Sequence, residues 1–237
     1  MNRFFAKMII LLCLHISIYA SVWNNPHSSK KIEADTLFSS FSLPLKRLDP
    51  VQSYNAVEWG VISQIYEPPL QYNYLKRPYE LEPLTLTKMP EIRYLDKDDH
   101  EVDEDSKDLV YSEYRLDLRK DIKYQNHPAF VKNADGTLKY SGLSADALEE
   151  IDSIDDFKEV ETRRLLASDY AYAIKRMAVR QNHSPILDNM QHYIVGLETF
   201  SESITQTVKE KNKIDQWTDL RDYSISGVHV VNDSVLT

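Results

Sequence analysis

Glycine is scarce, with 5 copies in 237 residues. Glycine-rich phosphate loops and dinucleotide fingerprints gather several glycines into a few positions so that the backbone can approach a phosphate, and no such run exists here. Cysteine is scarcer still. Cys13 is the only one, which excludes an intrachain disulfide and a cysteine-rich zinc site. Because Cys13 lies in an apolar N-terminal run, the rest of the chain has no thiol for nucleophilic catalysis. There is no Gly-x-Ser-x-Gly elbow, no His-Glu-x-x-His helix and no kinase signature. The histidines, His15, His27, His100, His127, His183, His192 and His229, include no pair at i, i+4 spacing. The adjacent carboxylates Glu149-Glu150 and Asp155-Asp156 read as solvated helix surface. No catalytic residue, metal ligand or cofactor is assigned. Positive charge is also in deficit: 28 Lys and Arg face 37 Asp and Glu, for a net charge of −9. That balance argues against a nucleic-acid partner reached by general electrostatics.

Hydrophobic residues make up 42% of the chain, enough to build a core. Tyrosine is abundant, with 15 copies against 7 Phe. An apolar ring with a hydrogen-bonding tip suits both lobe edges and binding surfaces. Arg3 and Lys7 precede an apolar run over residues 8–19. That run is too short for a membrane helix, which needs about 20 residues. Basic start, short apolar middle and small terminal residue make a secretory signal over 1–21, cleaved after Ala20 or Ser21, and predict a periplasmic location. Leu12 stands where a lipoprotein site at Cys13 would need a small residue.

Further along, apolar Leu37, Phe41, Leu43 and Leu45 predict a strand over 36–45, closed by an Asp49-Pro50 turn. Residues 58–66 predict a short helix with Trp59, Ile62, Ile65 and Tyr66 on one side, stopped by Pro68-Pro69. The acidic run over 95–108 lacks the glycine and ligand spacing of a calcium loop and reads as a solvated hairpin tip. Alternation predicts a strand over 110–118 with Val110, Ser112, Tyr114, Leu116 and Leu118 on one face. Ser144, Ser168 and Ser184-Pro185 are read as helix starts. Ile186, Met190, Tyr193, Ile194 and Leu197 form the stripe of the third helix, with a bend at Gly196. A strand over 227–231, an Asn232-Asp233 turn and a last strand over 234–237 close the chain. The pattern is mixed α+β.

Several of these segments together resemble one family. Residues 48–84 carry Leu48-Asp49-Pro50, then Ile65-Tyr66-Glu67-Pro68-Pro69-Leu70-Gln71-Tyr72, then Lys76-Arg77-Pro78-Tyr79. The run from Asp121 to Phe130, DIKYQNHPAF, follows a Tyr-x-Leu-x-Leu strand. Arg164-Leu165-Leu166-Ala167-Ser168-Asp169 opens a helix that leads to Lys175-Arg176, and Gly227-Val228 precedes the turn at Asp233. In order and spacing this resembles the N-terminal portion of the family-5 extracellular solute-binding proteins of peptide-type ABC importers.

The resemblance implies an N-terminal lobe with an accessory subdomain of a two-lobed periplasmic binding protein. The implied boundaries are a signal peptide over 1–21, the start of the α/β lobe over 22–64, the accessory subdomain over 65–160 and a return to the lobe over 161–237. It implies a peptide or other small solute as ligand, held in a cleft that closes about a hinge, and an ABC permease of the inner membrane as partner to a monomeric receptor. The loop before the Leu-Asp-Pro turn, Leu43, Pro44, Leu45 and Lys46, is the implied ligand-facing segment. The second lobe, hinge crossings and the carboxylate that holds a peptide's ammonium end have no counterpart in this sequence. It is therefore expected to be a truncated, frameshifted or split reading frame with weak or absent binding of its own. The alternatives are a small secreted hydrolase without a recognisable motif, and a transcriptional regulator borrowing the same fold, which the secretory start argues against.

Overall fold

The computed structural model describes residues 40, 43–213 and 218–237. The chain divides into two units, Met1–Pro44 and Leu45–Thr237. In the first, the described residues Ser40, Leu43 and Pro44 are exposed and belong to no helix or strand. The leader over 1–21 and most of the strand expected over 36–45 lie outside the described residues.

The second unit is mixed α+β, with a two-stranded and a four-stranded antiparallel sheet. Helix α1, Ala56–Ile62, starts where the Asn55 side chain accepts the backbone N–H of Glu58. Only Glu58 and Ile62 of this helix are buried. Trp59, Ile65 and Tyr66, expected on one covered side with Ile62, are exposed, because the helix ends before Ser63 and turns carry the chain on toward Pro68. Strands β1, Leu70–Tyr72, and β2, Leu81–Pro83, form a hairpin with Leu70 opposite Pro83.

The larger sheet has the order β3-β4-β6-β5, from β3, Glu91–Leu95, β4, Tyr111–Asp117, β5, Val230–Asn232, and β6, Val235–Leu236. β3 and β4 pair from Glu91 opposite Arg115 to Leu95 opposite Tyr111, so the acidic run joins them as a hairpin connection. The predicted strand exists, but its expected inner face is covered only at Leu116 and Leu118, while Val110, Ser112 and Tyr114 are exposed. The reason is the short partner: β6 reaches only Leu116 and Asp117, so the far end of the hairpin extends beyond the core.

Helix α2, Ala145–Glu149, is capped as expected, with Ser144 Oγ accepting the N–H of Ala147. Helix α3, Ala167–Ala178, is not capped by Ser168, which is exposed in its first turn. Asp169 instead reaches back to accept the N–H of Leu166, the actual cap residue, at 2.9 Å. The third apolar stripe is two helices, α4, Leu187–Met190, and α5, Leu197–Asn212. Residues 191–196 turn between them, and Gly196, at φ +76° in the left-handed region, is the cap at which α5 begins, where a bend within one helix was expected.

Helix α3 serves both apolar clusters. Met177 and Ala178 pack with Leu187, Leu197, Phe200, Ile204 and Ile225. Ala167 and Ala171 pack with Leu86, Leu118 and Leu236 under the large sheet. Each buried leucine or isoleucine of these clusters stabilises by about 1.5–3 kcal/mol when removed from water, and α3 touches both. Among the described residues, no helix is long and apolar enough to cross a membrane.

Candidate functional site

The turn at Asp49 and the loop before it are tied down from within. Glu58 Oε1 accepts the backbone N–H of Lys46 at 3.0 Å and of Arg47 at 3.1 Å, and Oε2 accepts the Ser53 hydroxyl at 2.6 Å. A buried carboxylate surrounded by donors is stabilised in its charged form. The Ser53 hydroxyl contributes most, and with the backbone amides it outweighs burial and holds the Glu58 carboxyl at about 2. Asp49 shapes the turn through its carbonyl, which accepts from Gln52 and Ser53, and through Oδ1, which accepts from Val51 at 3.0 Å.

Helix α3 gathers the remaining segments around this turn. Arg176 Nη1 and Nη2 donate to Asp49 Oδ1 and Oδ2 at 3.2 and 2.5 Å. Burial alone would raise the Asp49 carboxyl, yet it is lowered because Arg176 and the Val51 amide favour the anion more strongly. At the other end, Asp169 receives Arg163 through both oxygens at 2.6 and 2.8 Å, and the Arg163 guanidinium lies 4.6 Å from the Tyr124 ring and 5.2 Å from that of Phe130. Burial of Asp169 opposes ionisation, but Arg163 and the Leu166 amide lower its carboxyl below the ordinary value. The Ala167 N–H donates to the Asp233 carbonyl at 2.9 Å. The Tyr170 hydroxyl contacts Thr85 Oγ1 at 2.6 Å and donates to the Glu67 carbonyl at 3.1 Å.

The implied ligand-facing residues divide by environment. Leu43 and Pro44 are exposed, Lys46 is exposed above its amide's bond to Glu58, and Leu45 is half-buried. A separate open groove of about 570 Å³ lies between α3 and β5, lined by Ser168, Tyr172, Lys175, Tyr223, Val228 and His229 among others. Burial lowers the Lys175 ammonium, against the pull of the Asp219 and Asp222 carboxylates. Hydroxyls, an imidazole and a half-buried cation give this groove the chemistry to hold a small polar group. Sequence reasoning missed it, because its members come from helix, loop and strand with no shared spacing. Glu58 was also missed, although its position three residues after Asn55 places it in the first turn, where a carboxylate can meet free amides.

Asp96, Asp98 and His100 bring one donor atom each within 4.8 Å of one another at the tip of the β3–β4 hairpin. Asp96 already accepts the amides of Asp98 and His100 there, which accounts for the grouping as loop structure.

No family model, curated protein or solved structure matches the chain.

Proposed function

We propose that this chain forms the N-terminal lobe of a solute-binding receptor for an ABC importer, exported to the periplasm, which holds peptides or similar small solutes without making or breaking bonds. The observation that carries this reading is the convergence on α3. Segments that resemble the family in order and spacing meet at this helix: the Leu-Asp-Pro turn through Arg176, the Tyr124–Phe130 region through Arg163 and Asp169, and the closing turn through Ala167 and Asp233. Their meeting at one helix is what supports reading them as parts of one lobe. Fixing the backbone at Lys46 and Arg47 by a buried anion holds these two residues in one conformation, a condition for reading an extended peptide by its main chain.

One lobe touches a ligand from one side, so binding by this chain alone is expected to be weak or absent. The test is a titration of the isotopically labelled chain with a mixed short-peptide pool, followed by amide chemical shifts. Saturable shifts centred on residues 43–47 and absent with neutral sugars support the proposal. Shifts located elsewhere, or saturation at micromolar peptide, overturn it.

A further inference from the structure

The groove between α3 and β5 holds two opposite charges that do not meet. Ser168, Ala171, Tyr172 and Lys175 follow helical spacing along α3 and form one wall. Leu220 is buried in the same apolar cluster as Met177 of α3. That contact holds the single helical turn Leu220–Asp222 against the helix, and Asp222 lines the same groove. Arg221 lines it too, but its Nε donates to both oxygens of Asp219 at 2.9 and 2.8 Å, so these two charges offset each other. Lys175 and Asp222 have no such partner. Among the described residues neither takes part in an ion pair or a side-chain hydrogen bond, and Lys175 feels the Asp219 and Asp222 carboxylates only at a distance. The rings of Tyr172 and Tyr223 and the Val228 side chain supply apolar surface beside the two charges. Lys211 lies 5.9 Å from the Tyr223 ring centroid and is not part of the lining.

From this arrangement we infer that the groove is a binding site for a small zwitterion of the class of free α-amino acids, with its carboxylate at Lys175 and its ammonium at Asp222. A lysine and an aspartate beyond ion-pair distance across an open groove are each left to water, and a ligand carrying both complementary charges replaces that water with two charge-assisted hydrogen bonds. A simple anion would meet Asp222 and a simple cation would meet Lys175, so either is opposed by one wall charge and only the dipolar ligand satisfies both. The ligand's side chain then has Tyr172, Tyr223 and Val228 to cover it. The groove's 570 Å³ falls within the range of about 300–1,000 Å³ that small-molecule clefts occupy. None of residues 43–47 lines this groove, and the inference does not rest on the lobe reading.

The experiment is a titration of the isotopically labelled full chain with L-leucine, read by amide chemical shifts. Saturable shifts are expected at residues 168–175 and 221–230. Two analogues on the wild-type chain separate the charges: leucinamide lacks the carboxylate and N-acetyl-leucine lacks the ammonium. Each is expected to bind about tenfold more weakly than leucine, the loss of one charge-assisted hydrogen bond. Lys175→Met and Asp222→Asn are expected to weaken leucine by a similar factor, whereas Glu202→Gln, at an exposed carboxylate on α5, leaves it unchanged. The amide spectrum of each variant shows whether it is folded, and the analogue comparison does not need the variants. Absence of a saturable shift at millimolar leucine overturns the inference, as do shifts outside the groove. Equal affinity for leucine and either analogue overturns it as well, since the groove would then read a single charge.

Discussion

Asp49 and Arg176 stand 127 positions apart and meet through two parallel hydrogen bonds, joining the turn ahead of α1 to the last turn of α3. The planar guanidinium matches the carboxylate at both oxygens, which fixes orientation as well as distance. Both side chains are about a third exposed, so the pair is worth less than a fully buried one. Asp49→Ala is expected to cost about 1–3 kcal/mol, and Arg176→Lys to cost part of that, because an ammonium keeps the charge and loses the fork. Urea unfolding of both variants, analysed with the double variant, checks this. Strict additivity of the two losses would show that the pair contributes nothing.

Glu58 gives a pH dependence with a definite sign. Its folded pKa of about 2 lies below the ordinary glutamate value of 4.5. A depressed carboxylate contributes stability that is fully present above its unfolded pKa and is lost as pH falls through the folded one. The difference in urea midpoint between the wild-type chain and Glu58→Gln is therefore expected to be largest near neutrality and to shrink from pH 4.5 to about 2. Other carboxylates titrate in the same window, but they are common to both proteins and cancel in the difference. A difference that stays constant down to about pH 2 would mean that Glu58 is not anchored as an anion.

Local signals carried the elements of this fold further than they carried its site. The Asn232-Asp233 turn and the Ser144 cap form because the Asn232 and Ser144 side chains satisfy nearby amides, bonds set by sequence neighbours alone. The alternation at 110–118 was legible as a strand, yet which of its residues are covered depends on the length of β6, more than a hundred positions away. Ser168 resembled a cap, but Leu166 took that place because Asp169 is held by Arg163 and turned toward its amide. The groove beside Lys175 has no periodic signature at all. The loop residues Leu43 to Lys46 were reached by family resemblance, and hydropathy gave no reason to choose them.

The two glycines Gly227 and Gly60 predict substitutions of opposite sign. The Gly227 amide donates to the Val195 carbonyl at 3.0 Å, and a Cβ there would meet that carbonyl oxygen at 2.6 Å and the Val195 Cβ at 2.7 Å. Backbone cannot swing aside as a flexible side chain can, so Gly227→Ala is expected to cost about 1–3 kcal/mol. Gly60 sits within α1 with nothing within 4 Å of the new atom. There alanine restricts the unfolded chain and favours the helix, so Gly60→Ala should stabilise by about 0.5–1 kcal/mol. Thermal melts of both variants decide the matter, and a stabilised Gly227→Ala would contradict the close approach between residues 195 and 227.

Tyr170 and Thr85 share a contact of 2.6 Å that either hydroxyl can donate. Each hydroxyl has one hydrogen and one further acceptor, the Glu67 carbonyl at 3.1 Å for Tyr170 and the Pro68 carbonyl at 3.3 Å for Thr85. The shorter of these favours the direction from Thr85 to Tyr170 to Glu67, which ties α3 to the segment that enters β1. Tyr170→Phe leaves Thr85 able to turn its proton to Pro68, while Glu67 recruits water, so the loss is expected near 1 kcal/mol. Thr85→Val removes the buried donor with its acceptor still present and should cost a similar amount. The double variant is expected to cost less than the sum of the two, by about 0.5–1 kcal/mol of coupling. Unfolding of the four proteins measures that coupling directly. If the proton ran the other way, from Tyr170 to Thr85, Thr85→Val would leave the tyrosine hydroxyl free to strengthen its bond to Glu67, and the single variant would be close to neutral.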